Sequence, residues 1–300
     1  MFRLPIGVEI NNLIDDLKII SWKAFDILYY YSNKLKDHSL NKELIKYKNF
    51  DDPVTIADLK VNNLVISEIK KKYPETDWGF LSEEKGAINN DYSYSKNKWL
   101  WVLDPLDGTK DFIQNTGEYA MHLALNYMNI PILGIVLIPS REELWIANGK
   151  TVWFENRDGS KQKPSLSNEK DIKDMTIVTS KNHRNKELKL LINKLGFSHI
   201  LTMGSIGYKI TSIMRGESDV YISLSIPGKS FPKDWDFAAP DAILSTCGGI
   251  ITDYENKKLT YNKKDFNQSG IIIASNNENI QRKLCLAIKK IIIENNIIQL

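Results

Sequence analysis

Two aspartates three residues apart follow an apolar, strand-like run in the stretch WLWVLDPLDGTKDF, residues 99–112. Pro105, between Asp104 and Asp107, fixes one backbone torsion, and Gly108 permits a close approach that a side chain would block. The two carboxylates therefore face nearly the same volume. Crowded carboxylates repel each other unless they are protonated or neutralised. The stretch thus predicts a cation site in addition to a tight turn.

The chemistry of the neighbouring residues favours a hard cation. No histidine or cysteine accompanies the two acids, and an all-oxygen set selects Mg²⁺, which tends to share its shell with phosphate oxygens. The backbone N–H groups of Gly108 and Thr109 can form a nest for a phosphate oxygen. The other acidic stretches, PVTIAD, LSEEKG and DWDFAAPDA, are each better explained, when taken singly, as helix caps or solvated turns.

Taken together and in their order, these stretches resemble the lithium-sensitive, magnesium-dependent phosphatase superfamily. That superfamily includes inositol monophosphatase, fructose-1,6-bisphosphatase and the 3'(2'),5'-bisphosphate nucleotidases. LDPLDGTKDF fits its signature Asp-Pro-hydrophobic-Asp-Gly-Thr, and DWDFAAPDAIL fits its second signature around Trp-Asp. The resemblance runs from the PVTIAD helix to the strand IIIASN. It implies an α+β fold, a layered α/β/α/β/α sandwich, and hydrolysis of a phosphate monoester by metal-activated water.

The resemblance also implies a role for each site residue. The metal ligands, for Mg²⁺, would be Glu83, Asp104, the main-chain carbonyl of Leu106, Asp107 and Asp236. Thr109 and Asp58 would orient and deprotonate the attacking water, and Gly108 with Thr109 would bind the phosphate. Glu84 is placed outside the metal shell, because adjacent side chains in an extended segment point apart.

The segments DGTKDF, TSKNHRNKEL and GSIGYKITSIMRGESDVYISL resemble the bisphosphate nucleotidase branch more than the inositol monophosphatase branch. This implies that His183, Ser205 and Lys209 hold the adenosine moiety and its second phosphate. The alternatives are a solvated helix-cap histidine and an ordinary surface lysine. Some nucleotidases of the branch have an arginine where residues 223–225 read Ser-Leu-Ser here. Either Lys209 and Lys229 replace that bidentate clamp, or the second phosphate is held less tightly.

Three functions are therefore compared. The leading hypothesis is removal of the 3'-phosphate from adenosine 3',5'-bisphosphate, with 3'-phosphoadenylyl sulfate as a further candidate substrate and a role in sulfur assimilation. The alternative keeps the metal site but acts on an inositol or sugar phosphate. A third hypothesis is a non-catalytic protein that binds metal or RNA. The pair formed by Thr109 and Asp58 argues against it, because a pure binder needs no water-activating pair.

Regular secondary structure is predicted on both sides of the signatures. Apolar residues at three- and four-residue steps predict an amphipathic helix over 8–30, and Thr55 can cap a second helix that ends in lysines before Pro74. The runs WLWVL, MHLALNYM, ILGIVLI and ELWIA predict strands of a largely antiparallel sheet. After residue 150, MTIVTS, NKELKLLINKL, HILTM, GYKITSIMRG and DVYISL alternate between strand and helix patterns, which favours an α/β layer.

We therefore divide the chain into two lobes that share one cleft. The N-terminal lobe, residues 1–150, carries most metal ligands, and the C-terminal lobe, residues 151–300, contributes Asp236 and the substrate-binding residues. The boundary is placed in the polar segment NRDGSKQKPSLSNEKD.

Composition restricts the possible partners and compartment. Against 40 Lys and Arg stand 37 Asp and Glu, a formal charge of only +3, so no basic stripe indicates nucleic acid. Cys247 and Cys285 lie in separate segments and support neither a disulfide framework nor a cysteine metal site. The start does not resemble a signal peptide, and no apolar run of about 18 residues occurs. We expect a cytoplasmic monomer or homodimer that binds a small phosphorylated substrate, without nucleic-acid or membrane partners.

Overall fold

The computed structural model describes residues 4–37, 41–49, 52–84, 86–87, 98–182, 184–225 and 231–295. Its helices, numbered in chain order, are α1 Ile10–Leu35, α2 Asn41–Leu44, α3 Ile56–Lys72, α4 Thr109–Ile113, α5 Lys186–Leu195, α6 Ile206–Met214, α7 Asp234–Thr246 and α8 Glu278–Asn295. Its strands are β1 Ile45–Asn49, β2 Asp52–Thr55, β3 Gly79–Ser82, β4 Gly86–Ala87, β5 Trp99–Asp107, β6 Ala120–Tyr127, β7 Ile130–Ile138, β8 Glu143–Ala147, β9 Val152–Asn156, β10 Lys161–Gln162, β11 Thr176–Ser180, β12 His199–Met203, β13 Val220–Ser225, β14 Ile250–Asp253 and β15 Gly270–Ser275.

The two predicted N-terminal helices are α1 and α3. Helix α1 extends beyond the predicted end at residue 30 because Tyr31 and Leu35 continue its buried stripe. Helix α3 begins as predicted at its cap, Thr55, whose hydroxyl accepts a hydrogen bond from the backbone N–H of Ala57 at 3.1 Å. Both helices pack together on one face of the larger sheet.

The larger sheet has eight strands in the order β10-β9-β8-β7-β6-β5-β3-β4. Every neighbouring pair is antiparallel except β3 and β5, which run parallel, so the predicted antiparallel character is confirmed. Strand β5 lies between the parallel partner β3 and the antiparallel partner β6. Its carboxyl end therefore lies beside the end of β3, which leads directly to Glu83.

A second sheet has five strands in the order β12-β11-β13-β15-β14, with parallel pairing at β11–β12 and β11–β13. Helices α6 and α7 lie between the two sheets and share one hydrophobic core with both. Helices α5 and α8 cover the outer face of the second sheet. The order of layers is α/β/α/β/α, which confirms the fold expected from the sequence.

The chain passes from the first sheet to the second between Gln162, the last residue of β10, and Thr176, the first of β11. This passage overlaps the polar segment 156–171 in which the lobe boundary was placed. Among the helices of the described ranges, none combines the length and the apolar character needed to cross a membrane.

Candidate active site

Strand β5 carries two of the predicted carboxylate ligands, Asp104 and Asp107, on the two sides of a β-bulge. Asp104 is paired with His122 of β6 and Asp107 with Ala120, so one extra residue is inserted on β5 between them. Pro105 lies inside this insertion, where its missing N–H interrupts no regular ladder. The strand therefore does not end before the aspartates, as the apolar pattern suggested, but continues to Asp107 and bends there.

The side chain of Asp104 stabilises the bulge by a hydrogen bond to its backbone. One carboxylate oxygen of Asp104, Oδ1, accepts a hydrogen bond of 3.0 Å from the backbone N–H of Leu106. The carbonyl of Leu106 in turn accepts a hydrogen bond of 3.1 Å from the hydroxyl of Thr109. These two hydrogen bonds lie within the segment from Asp104 to Thr109, and they fix the positions of its main chain and of its polar side chains relative to each other.

Gly108 connects this turn to α4 in a left-handed conformation, with φ 88° and ψ 38°. A Cβ atom at this position would lie 2.9 Å from the carbonyl oxygen of Glu118 and 3.3 Å from Cβ of Ser205. Both the backbone torsion and the space therefore require glycine. Gly108 brings the end of β5 against the start of α6, where Ser205 lies.

Asp58 occupies the third position of α3 and belongs to a capping box. Its Oδ2 accepts hydrogen bonds from the backbone N–H of Thr55 at 2.9 Å and from the Thr55 hydroxyl at 2.5 Å. The other oxygen, Oδ1, lies 3.5 Å from the hydroxyl of Thr109. Burial raises the pKa of Asp58 to about 7, and the nearby Glu84 adds to the rise, while Thr55 opposes it. The structure therefore brings Asp58 and Thr109 together, as the resemblance implied.

Asp107 and Asp236 lie at the amino ends of the two middle-layer helices. Oδ2 of Asp107 accepts hydrogen bonds from the backbone N–H groups of Ile206 and Gly207 at the start of α6. Oδ2 of Asp236 accepts one of 2.6 Å from the backbone N–H of Lys233, which precedes α7. Carboxylates are favoured at such positions by the partial positive charge of helix amino ends.

Asp104, Asp107 and Asp236 together form a compact acidic cluster. One carboxylate oxygen of each lies within 4.8 Å of the others. Burial raises the pKa of Asp104 and of Asp236 well above the usual range, and the surrounding carboxylates raise both further. A hydrogen bond that protonated Asp104 donates to Glu83 contributes to the rise in the pKa of Asp104. The cluster is short of positive charge, and its oxygen-only donors fit a hard divalent cation.

The predicted substrate residues Ser205 and Lys209 lie on α6, beside the cluster. Ser205 is fully buried and caps α6 by accepting a hydrogen bond of 3.1 Å from the N–H of Tyr208. Lys209 is only 2% exposed and donates a hydrogen bond of 2.5 Å to the carbonyl of Gly204, which excludes an ordinary surface lysine. Burial lowers the pKa of Lys209 to about 8, although Asp107 raises it. His183 and Lys229 lie outside the described residues.

Sequence reasoning missed an ionic link between α4 and the second sheet. Lys181, directly after β11, places its ammonium 3.2 Å from Asp111 and 3.0 Å from Glu118. Glu118 also accepts a hydrogen bond of 3.0 Å from the backbone N–H of Gly204. Asp111 stands in the quoted signature and is 1% exposed. No local pattern predicts this link, because Lys181 lies 70 residues after Asp111 in the sequence.

Sequence reasoning also missed His122, which is fully buried on β6. Its Nε2 lies 3.4 Å from Oδ2 of Asp107. Burial lowers the pKa of His122 below its usual value, although Asp107 and the backbone of Trp235 raise it. A single histidine in an apolar strand pattern gives no sign that it faces a metal ligand, because only the pairing of β5 with β6 brings them together.

The chain matches a known protein family over most of its length. Residues 18–292 match the model of the inositol monophosphatase family, and this range includes every described residue of the site. The chain belongs to the inositol monophosphatase family.

Among the curated relatives is the 3'(2'),5'-bisphosphate nucleotidase CysQ of Buchnera aphidicola, 30% identical over 217 residues, which are 72% of this chain and 77% of that protein. The CysQ nucleotidase of Escherichia coli is 28% identical over 215 residues, 72% of this chain and 82% of that protein. Among solved structures, the suppressor protein suhB of Bartonella henselae has a TM-score of 0.75 at 24% identity, covering 93% of this chain and 99% of that one. CysQ of Bacteroides thetaiotaomicron has a TM-score of 0.61 at 27% identity, covering 75% and 85%.

Proposed function

We propose that the protein is a Mg²⁺-dependent phosphomonoesterase that removes the 3'-phosphate from adenosine 3',5'-bisphosphate. The observation that carries the proposal is the acidic cluster of Asp104, Asp107 and Asp236, together with the Thr109 hydroxyl that lies 3.5 Å from the carboxylate of Asp58. A cation site alone would fit a binding protein. A hydroxyl and a buried carboxylate next to that site fit the deprotonation of a water.

The residues divide into two groups in this proposal. Glu83, Asp104, Asp107 and Asp236, with the carbonyl of Leu106, would hold Mg²⁺. The first 150 residues thus supply every ligand except Asp236. When bound, the cation supplies charge neutralisation for the phosphate and acidifies a bound water.

Water activation is assigned to Thr109 and Asp58. The Thr109 hydroxyl would accept a proton from the attacking water while its own proton passes to Asp58. Burial raises the pKa of Asp58 to about 7, which suits a group that gains and loses a proton near neutral pH. The backbone N–H groups of Gly108 and Thr109 would receive a phosphate oxygen, and no covalent phosphoenzyme is needed.

The substrate is proposed from the branch of the family. Two relatives are named 3'(2'),5'-bisphosphate nucleotidase, and the Bacteroides structure is named CysQ. His183, Ser205 and Lys209 remain the predicted contacts for adenosine and its second phosphate. Lys209 is buried, and its ammonium donates a hydrogen bond to the carbonyl of Gly204, just before α6. Its positive charge would therefore act on a bound phosphate from within the protein, near the first turn of α6. 3'-Phosphoadenylyl sulfate is the second candidate substrate.

A comparison of substrates tests the proposal. Charged hydrogen bonds to a second phosphate are worth about 1.5–3 kcal/mol, or roughly ten- to a hundredfold in kcat/KM. We expect adenosine 3',5'-bisphosphate to exceed adenosine 3'-monophosphate and inositol 1-phosphate by at least about tenfold at fixed Mg²⁺. If inositol 1-phosphate is the best of the three, the nucleotidase assignment is wrong and an inositol phosphatase takes its place. If none is hydrolysed with Mg²⁺ present, the enzymatic assignment is wrong.

A further inference from the structure

His122 is a buried polar side chain that the proposed reaction does not use. It is 0% exposed, and neither ring nitrogen makes a hydrogen bond of regular geometry among the described residues, although the backbone of Trp235 and of Asp236 lies near enough to favour its protonated form. Burying a polar group without a regular hydrogen bond costs free energy, so these positions are rare and call for an explanation. An apolar residue would fill the same place in β6 without that cost.

The surroundings of the ring point to Asp107. Nε2 of His122 lies 3.4 Å from Oδ2 of Asp107, the oxygen that also faces the backbone N–H groups of Ile206 and Gly207. Two backbone N–H groups and one ring nitrogen, from two different elements, thus approach one carboxylate oxygen. The ring reaches it from β6, and the two amides reach it from the start of α6.

The absence of a side chain at Gly207 leaves space for the imidazole ring of His122. A Cβ atom built on Gly207 would lie 2.2 Å from Nε2 of His122, closer than any real contact. The first turn of α6 therefore lacks a side chain at the place where the imidazole stands. His122 and Gly207 are complementary across the boundary between the larger sheet and the middle helices.

We propose that His122 is a positioning residue for the metal site, a role that rests on the proposed function. With its proton on Nε2, the ring acts on Oδ2 of Asp107 together with the α6 amides and so fixes the orientation of that carboxylate in the cluster. Outer-shell donors of this kind fix the orientation of a ligand, and their loss typically costs about 10- to 100-fold in metal affinity. His122 touches neither substrate nor water in this proposal.

The test measures Mg²⁺ binding directly, by titration calorimetry of the purified full chain without substrate. His122→Phe keeps a ring but removes both nitrogens, whereas His122→Gln keeps an N–H donor near the position of Nε2. Asn126→Leu is the matched control, because the side chain of Asn126 is also buried on β6 without a hydrogen-bond partner in the described structure, but Asn126 pairs with Leu100, four residues before Asp104 on β5.

We expect His122→Phe to weaken Mg²⁺ binding by about 10- to 100-fold, His122→Gln to recover most of it, and Asn126→Leu to leave it unchanged. Wild-type affinity in His122→Phe overturns the proposal, and so does an equal loss in the Phe and Gln variants. If His122→Phe does not fold, Gly207→Ala decides, because its methyl group must displace the ring and weaken Mg²⁺ binding.

The outcomes also separate this inference from the proposed function. A wild-type protein that binds Mg²⁺ and hydrolyses the bisphosphate, with an unaffected His122→Phe variant, refutes only the role of His122. A wild-type protein that binds no Mg²⁺ refutes both. A protein that binds Mg²⁺ in a His122-dependent way but hydrolyses no substrate supports the positioning role and refutes the activity.

Discussion

Replacing Asp104 by asparagine should stabilise the metal-free protein while abolishing its activity. Asp104 shares a volume with Asp107 and Asp236, with one oxygen of each within 4.8 Å of the others. At that distance, and at an effective dielectric constant of about 20, each ionised pair repels by about 3 kcal/mol. The raised pKa of Asp104 means that bound protons remove part of this repulsion, so the figure is an upper limit per pair.

The asparagine side chain keeps the structure of the turn while removing the charge. Its Oδ1 can still accept the hydrogen bond from the backbone N–H of Leu106. A gain of about 2 kcal/mol in the free energy of unfolding corresponds to a melting temperature higher by roughly 3 °C in a chain of this size. The measurement is thermal unfolding at pH 8 and low salt in excess chelator, followed by the same scan in Mg²⁺.

With Mg²⁺ the order of the two proteins should reverse. A cation at a hundred times its dissociation constant stabilises the wild type by about 2.7 kcal/mol, and Asp104→Asn loses most of that gain. Asp111→Asn is the matched control. Asp111 is equally buried but paired with Lys181, so its loss should lower the melting temperature in both buffers. An Asp104→Asn protein that melts below the wild type in chelator would refute the reasoning, because repulsion would then not dominate the cluster.

Three further predictions follow from the same geometry. Thr109→Ala should lower kcat by about 10²- to 10⁴-fold with little change in KM. Thr109→Ser is the control, because it keeps the hydroxyl and should keep most of the rate. A near-normal kcat in the alanine variant would exclude a role of Thr109 in water activation. Burial raises the pKa of Asp58 from 3.8 to about 7, so between these pH values the folded metal-free protein keeps a proton on Asp58 that the unfolded chain has lost. The contribution of Asp58 to the free energy of unfolding should therefore fall by about 4 kcal/mol as pH rises through that window, and Asp58→Asn should remove this part of the slope in denaturant titrations. Gly204→Ala places a methyl group 2.4 Å from Oδ2 of Asp111 and 2.6 Å from the carbonyl of Glu118, so it should lower the melting temperature and raise KM, and unchanged values of both would contradict the close packing seen here.

The sequence predicted the parts of the fold that depend on local patterns. The apolar period of α1, the Thr55 cap of α3 and the strands β5 to β8 all follow from spacing and capping, which neighbouring residues determine. Patterns of this kind do not specify strand order or pairing. The bulge that carries Asp104 and Asp107 was therefore read as the end of a strand, because an insertion is visible only against the partner strand β6.

The sequence signature was enough to predict the acidic residues of the site, but the residues that surround these acids were not predicted. Asp104 and Asp107 stand in one recognisable run, so their proximity follows from a few backbone torsions. His122 and Lys181 meet the site only through sheet pairing and through the approach of the second sheet. The burial of Lys209 could not be predicted from the sequence either. A lysine on a short helix is usually exposed, whereas the two sheets enclose this one.

The middle layer of α6 and α7 has a consequence for how the protein can be made and divided. Both helices share a core with both sheets, and α7 brings Asp236 to the acids of β5. A fragment that ends after β10 would expose the apolar inner face of the larger sheet to water and would lack the third acid. Neither half should therefore be obtainable as a stable, metal-binding piece, although the two halves co-expressed could reassemble. During synthesis on the ribosome, the cation site is completed only after α7 has emerged, so a partly made chain cannot bind the metal as the finished one does.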